Sequence, residues 1–231
     1  MQELSGATKK VVNKNLLVEQ IYDFLFDLLV KDELKPGTKL NIDGVSKQLG
    51  VSRSPVAAAF SALERDGFLK ILPQNGTFVR ELTNEELEAI YMARAALEKV
   101  VAPFVVEKVE ESELLRYRDR FAAYQEMNAL QEKELLELFE LDLELHDFFA
   151  GFVPEIVRRA YCNICNLTRH SRLLNLKYEG KNAILSETIN DNITIHIQII
   201  DALRARKLAE AIDLLEMDVI RTKERVLNNR V

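Results

Sequence analysis

The spacing of apolar residues changes several times in the first third of the chain. Leu17, Ile21, Leu25, Leu28 and Leu29 recur every three or four positions, which predicts an amphipathic helix from about Leu16 to Lys31. Residues 1–15 ahead of it read as a flexible arm. Leu34-Lys35-Pro36-Gly37 predicts a turn, because proline fixes φ and glycine permits the reversal. A second helix over about Ile42–Leu49 would turn Val45 and Leu49 inward and end at Gly50 as a left-handed cap. Ser52 or Ser54 can cap a third helix, with Pro55 in its first turn where no amide partner is required. That helix carries Val56, Phe60 and Leu63 inward and stops at Gly67. Two short apolar runs follow, Phe68–Leu72 and Thr77–Val79, separated by Pro73-Gln74-Asn75-Gly76, and Asn-Gly in that position signals a hairpin.

From Glu85 onward the spacing is helical nearly throughout. Six of the eight glycines lie in the first 76 residues, leaving Gly151 and Gly180 for the rest, so the later elements are expected to be long. Thr83-Asn84-Glu85-Glu86 looks like a helix start with acid in its first turn. The expected fold is therefore mainly α: a winged helix-turn-helix over 16–80, a linker at 81–84, and an all-α antiparallel bundle over 85–228.

Composition narrows the class. The 231 residues are 48% hydrophobic and 29% charged, the balance of a globular chain. No apolar run approaches the roughly 20 residues of a membrane helix, and no signal-peptide core stands at the start, which points to the cytoplasm. Two cysteines cannot make a disulfide scaffold. Residues 1–80 carry 11 Lys+Arg against 9 Asp+Glu, whereas residues 81–231 carry 20 against 28. A near-neutral, slightly basic module that tolerates a polyanion is thus joined to an acidic body.

The candidate chemistry differs between the two parts. In the first, a helix start presented by a tight turn can enter the major groove of duplex DNA. The amides around Ser52, Ser54 and Pro55, together with Arg53, can there meet phosphate or a guanine edge. The hairpin tip at Asn75, Gly76 and Thr77 can lie along the backbone or minor groove. A single winged helix reads few base pairs, so a homodimer on a two-fold operator is expected.

In the second part, Asp142 and His146 are i, i+4 and share a helix face. His196 lies on a helix running to about Arg204, and a break near Arg206-Lys207 returns the chain as a helix bearing Asp218. Antiparallel packing would put His196 and Asp218 at nearly the same height, where they could meet Asp142 and His146 as a four-ligand metal set. Read alone, each histidine is more often an ordinary hydrogen-bonded core residue. Arg94 and Glu98, also i, i+4, read equally as a mutual ion pair worth a few tenths of a kcal/mol or as structural or pocket residues. Cys162 and Cys165, with no second pair, read as helix positions rather than a zinc or redox motif, and His170 reads as exposed. The acids of Glu132–Glu144 read as a solvated face.

Three segments in order carry a family resemblance: Leu34-Lys35-Pro36-Gly37-Thr38-Lys39-Leu40, then Leu49-Gly50-Val51-Ser52-Arg53-Ser54-Pro55-Val56, then Asn75-Gly76-Thr77-Phe78-Val79. They resemble the DNA-binding domain of GntR-family regulators. Tyr91-Met92-Ala93-Arg94-Ala95-Ala96-Leu97-Glu98 is similar to the opening of the FCD ligand-binding domain of the FadR-type branch. The resemblance implies that Arg53 contacts the operator. It departs at Ala57, where an arginine is usual, and at Ile42, where an acid is common. It also implies a divalent metal, zinc, nickel or manganese, on Asp142, His146, His196 and a fourth position, here Asp218 rather than histidine. Aspartate is the harder ligand and leans the preference toward Mn²⁺.

The function implied is a regulator, not an enzyme. Its grip on DNA, as a repressor, would respond to a small organic-acid effector whose carboxylate meets the metal, with Arg94 or Arg169 holding the other end. The alternatives are a metal-dependent hydrolase using the same Asp/His set, and a direct metal sensor.

Overall fold

The computed structural model describes residues 5–31, 33–127, 130–179 and 185–229. Side chains of residues 1–15 and 174–188, and that of His170, lie outside the described residues. The chain divides into two compact units, Met1–Leu82 and Thr83–Val231.

The first unit contains α1 (Ser5–Val30), β1 (Lys39–Leu40), α2 (Ile42–Leu49), α3 (Arg53–Arg65), β2 (Leu69–Leu72) and β3 (Gly76–Val79). Its core is Ile21, Leu25 and Leu29 of α1 against Val56, Phe60 and Leu63 of α3, closed by Phe68, Leu69 and Val79. The Tyr22 hydroxyl of α1 donates to Asp66 at the end of α3 at 2.9 Å. Helix α1 begins at Ser5, well before the expected Leu16, so the flexible arm is corrected to helix over most of its length. No proline falls between Ser5 and Val30, and Ala7-Thr8-Lys9-Lys10 offers nothing that stops a helix. Helix α2 has the expected bounds, with the Asn41 side chain accepting from the amides of Asp43 and Gly44. Gly50 closes it at φ 67°, the left-handed conformation expected there.

The sheet order is β1-β3-β2, antiparallel throughout. The two-residue β1 is a strand that the hydrophobic pattern did not predict. The hairpin register pairs Leu72 with Gly76, and the Asn75 amide donates to the Leu72 carbonyl at 3.0 Å. The corner residues are therefore Pro73 and Gln74, with Gln74 at φ 64°, rather than the expected Asn75-Gly76. Proline at the first corner position and a positive φ at the second are the pattern of a type II turn. Gly76 is favoured for a different reason: it holds φ 108°, a conformation that side-chain-bearing residues rarely adopt, while a Cβ there would meet only the flexible end of Lys39, with Cε at 2.9 Å.

Among the described residues the second unit has six helices: α4 (Asn84–Lys108), α5 (Glu111–Gln125), α6 (Glu132–Ala150), α7 (Glu155–Glu179), α8 (Leu185–Arg204) and α9 (Leu208–Asn228). Helix α4 starts in a capping box, Thr83 accepting from the Glu86 amide while Glu86 accepts from the Thr83 amide. The reversal between α8 and α9 passes through Arg206 at φ 57°, where the break was expected. Helix α4 packs on α9 and α7, α5 on α8, and α6 on α7. Val101, Val105, Leu114, Phe121, Leu145, Phe149, Ile199, Leu203 and Leu215 form part of one continuous core. None of the described helices is long and apolar enough to cross a membrane.

Candidate functional site

On the first unit, Ser52, Arg53 and Ser54 are exposed at the start of α3, and Asn75 is exposed beside the hairpin corner. Ser52 holds the N-cap position without a side-chain hydrogen bond to the helix, which leaves its hydroxyl and the first amides of α3 open. Arg53 Nε lies 2.7 Å from Asp43 Oδ1, with both side chains largely in solvent, so the contact is weak and can be exchanged for a phosphate. Pro55 and Thr77 are buried and belong to the packing of the unit, while Gly76 is half-buried.

The second unit brings the expected metal set together in its interior. Asp142 and His146 of α6, His196 of α8 and Asp218 of α9 are all buried. One ligand atom from each of Asp142, His146 and His196 falls within 4.8 Å of the other two. Asp218 lies outside that group of three and approaches it at His146, with Oδ2 3.6 Å from Nε2. His196 Nε2 stands 3.4 Å from Asp142 Oδ2.

Hydrogen bonding fixes which face each ring presents. His196 Nδ1 lies 2.7 Å from the carbonyl oxygen of Asn192, and since a carbonyl only accepts, Nδ1 carries the proton. Phe121 stacks on this ring at 4.8 Å between centroids. His146 Nδ1 lies 3.1 Å from Glu98 Oε1 of α4 and 3.3 Å from the Tyr161 hydroxyl of α7. Both Nε2 atoms are left without a hydrogen-bond partner, as are Asp142 Oδ1 and Asp218 Oδ1. Four buried, unpartnered donor atoms on four residues are costly unless something satisfies them together. Imidazole and carboxylate donors in this number suit a first-row divalent cation, so the residues present fit such an ion.

The surrounding charges reinforce this. Three carboxylates (Glu98, Asp142, Asp218) and two guanidiniums (Arg94, Arg172) are buried together, leaving one negative charge unbalanced when the histidines are neutral. Burial alone would pull His146 down, but the Glu98 and Asp218 carboxylates outweigh it and raise it to about 9. Burial pushes Asp142 up, yet Arg172 and the two histidines bring it down to about 2. Asp218 is likewise held well below the usual carboxylate range, against burial, by His196 and His146. The centre is built to hold ionised carboxylates and to attract positive charge.

Tyr161 and Arg172 were missed by sequence reasoning as parts of this site, and Glu98 was read only as an ion-pair or pocket residue, not as a partner of His146. Arg172 Nη2 lies 2.5 Å from Asp142 Oδ2. Arg169, expected near the effector, instead pairs with exposed Glu140 at 3.0 Å, so on α7 it is Arg172, three positions later, that reaches the cluster. Arg94 and Glu98 do form the i, i+4 pair, at 3.6 Å, but 1% and 0% exposed, not at the surface, and Arg94 Nη1 also reaches Thr168 at 3.5 Å. Cys162 and Cys165 are free thiols, half-buried and buried, and Glu137, Glu140 and Glu144 are exposed as expected.

Comparison with known proteins agrees with both halves. The profile described as bacterial regulatory proteins, gntR family, matches residues 17–79, and that of the FCD domain matches residues 89–219. The HTH-type transcriptional regulator YdhC of Bacillus subtilis is 36% identical over 95 residues, 41% of this chain and 42% of its own. The HTH-type transcriptional repressor RspR of Escherichia coli is 32% identical over 128 residues, 55% of each chain. The chain thus spans about half the length of the curated relatives it matches. Among solved structures, E. coli McbR/YncC superposes with a TM-score of 0.72 at 20% identity, covering 93% of this chain and 98% of its own. A GntR transcriptional regulator from Rhodococcus sp. RHA1 gives 0.70 at 20% identity, covering 91% and 97%. With a gntR helix-turn-helix profile on the first unit and an FCD profile across more than half of the chain, this protein belongs to the GntR family, in its FadR-type branch.

Proposed function

We propose that this protein is a cytoplasmic, homodimeric transcriptional repressor that binds a two-fold DNA operator. In this reading its DNA affinity is set by a small organic acid bound at a divalent metal site formed by Asp142, His146, His196 and Asp218. The observation that carries the metal and effector part is the set of four buried donor atoms, on those four residues, that have no hydrogen bond among the described residues. The DNA part rests on the exposed start of α3 and hairpin corner and on the family assignment. The repressor direction is supported by the printed name of RspR.

The residues divide the work. Ser52, Arg53 and Ser54 meet phosphates and base edges in the major groove, and Asn75 with Gly76 approaches the adjacent backbone. In the second unit the two imidazoles and two carboxylates would hold zinc, nickel or manganese, and the bound ion would supply a Lewis-acidic positive charge for a carboxylate. A dication changes the buried balance from one negative charge to one positive, which is what an anionic effector neutralises. Arg172, already against Asp142, is better placed than Arg169 to meet such an anion, and Arg94, ion-paired with Glu98 but with no hydrogen bond to its Nε, is a second guanidinium in the core. An effector controls DNA binding only through different affinities for the DNA-competent and incompetent arrangements of the dimer.

A hydrolase reading has less support, because the relatives above are named as regulators. The test is a gel-shift assay with DNA from upstream of the protein's own gene at moderate salt, with and without zinc and a panel of small carboxylic acids. A specific complex that one acid shifts only when metal is present is the expected result. Absence of any specific complex contradicts the proposal, and a response to metal alone would convert it to the direct-sensor reading.

A further inference from the structure

The Glu98 carboxylate is a buried junction that the metal reading does not require. Its Oε1 accepts a hydrogen bond from the Tyr161 hydroxyl at 2.9 Å, lies 3.1 Å from His146 Nδ1 and faces Arg94 Nε at 3.6 Å. It comes from α4, whereas His146 comes from α6 and Tyr161 from α7. A fully buried glutamate with only its helical neighbour Arg94 as partner would be an ordinary buried ion pair, of doubtful value to stability. Here the same oxygen also meets the ring nitrogen of His146 that points away from the cluster.

We propose that Glu98 is the positioning carboxylate of the candidate metal set: held by Arg94 and Tyr161, it accepts the Nδ1 proton of His146 and so aims Nε2 at Asp142 and Asp218. This rests on the metal reading above. Glu98 Oε1 already accepts the Tyr161 proton, so it faces His146 as an acceptor, and the neutral ring meets it with the proton on Nδ1. In the neutral ring that a metal would bind, the lone pair is then on Nε2, 3.8 Å from Asp142 Oδ1 and 3.6 Å from Asp218 Oδ2. Tyr161 braces both partners, its oxygen 3.3 Å from the same Nδ1. His196 reaches the same orientation by a different route, through the backbone carbonyl of Asn192 on its own helix. That difference matters: a carbonyl is neutral and comes with the helix, whereas Glu98 adds a full negative charge behind the ring and strengthens Nε2 as a donor. Carboxylates behind metal-bound imidazoles act in this way, and their loss weakens metal affinity by about 10–100-fold.

The test uses the full chain and zinc alone. Zinc affinity is measured by competition with a chromophoric chelator for wild type, Glu98→Leu and Glu98→Gln, with thermal unfolding of each metal-free protein as the control for folding. In the zinc-loaded proteins, ¹⁵N-edited spectra follow the Nδ1 proton of His146, which a merely structural role for Glu98 would leave in place. The expected result is a loss of about 10–100-fold in zinc affinity for Glu98→Leu, with the Nδ1 proton resonance displaced or exchanging with water. Glu98→Gln, which keeps an oxygen acceptor without the charge, shows a smaller loss, a retained Nδ1 proton at a changed shift, and a fold that carries the test if the leucine variant does not fold. Zinc binding within about twofold of wild type in every folded variant, with an unchanged Nδ1 resonance, overturns the proposal and leaves the metal reading standing. A wild-type protein that binds no zinc overturns both.

Discussion

The two units place their ionisable groups in opposite ways. In the winged unit Arg53, Asp43 and the other charges near the start of α3 are exposed, and their pairing with each other is loose. In the helical unit Arg94, Glu98, Asp142, His146, Arg172, His196 and Asp218 are all buried. A surface that meets a phosphate backbone needs its charges in water, free to exchange counterions for phosphates. A site that selects a small ligand needs its charges desolvated, where each interaction is stronger and each unpaired atom costs more. Buried ions add little to stability, so a cluster of seven in one bundle is better explained by what it holds than by what it stabilises.

That contrast breaks if a change in one unit is felt in the chemistry of the other. The largest effect is expected from His146→Ala, which removes a donor outright and should lower zinc affinity by more than the roughly 100-fold upper range of an outer partner, measured by titration calorimetry. Specific binding to DNA in the absence of effector should remain. Next, Phe60→Ala should destabilise the winged unit by about 3–5 kcal/mol in a denaturant titration, because its fully buried ring leaves a cavity between α1 and α3. Its zinc affinity should match wild type, and a shift there would contradict the separation.

Arg53→Ala should weaken specific DNA binding by about 1–3 kcal/mol, roughly ten- to a hundredfold, without altering zinc uptake. A loss that is equal for all sequences would move Arg53 from base reading to phosphate contact. Gly50→Ala should cost about 1–2 kcal/mol, since a Cβ meets no atom within 4 Å and only the left-handed φ of 67° is strained. The smallest effect concerns the cysteines. Burial pushes the Cys165 thiol up to about 12, so it stays protonated at pH 8 and should resist iodoacetamide in the folded protein. Its labelling should rise only as the pH approaches that value or as the bundle unfolds.

Local chemistry made the winged unit legible. Gly50, Pro55 and Gly67 act within a few residues of themselves, so the bounds of α2 and the end of α3 follow from the residues alone. What escaped was long-range or fine-grained. Strand β1 is two residues long and exists because Lys39 and Leu40 pair with Phe78 and Thr77. The hairpin corner moved to Pro73-Gln74 because strand register, not the Asn-Gly dipeptide, set the turn.

In the helical unit, Asp142 and His146 were visible as an i, i+4 pair, and His196 and Asp218 through the height argument about the α8–α9 reversal. Arg172 was not, and Glu98 showed only as one half of an ion pair or pocket residue, because each looks like any other charge on a helix until burial is known. Arg169 and Arg172 lie on the same helix, and only packing decides that one meets Glu140 and the other Asp142.

The most direct test of the central claim is the metal content of the protein purified without chelators or metal-affinity tags, by elemental mass spectrometry. About one divalent ion per chain, removed by the His196→Ala substitution, is the result this account predicts. Wild-type protein that arrives empty and takes up no added Mn²⁺, Ni²⁺ or Zn²⁺ would contradict it. The four unpartnered donors would then have no metal to serve.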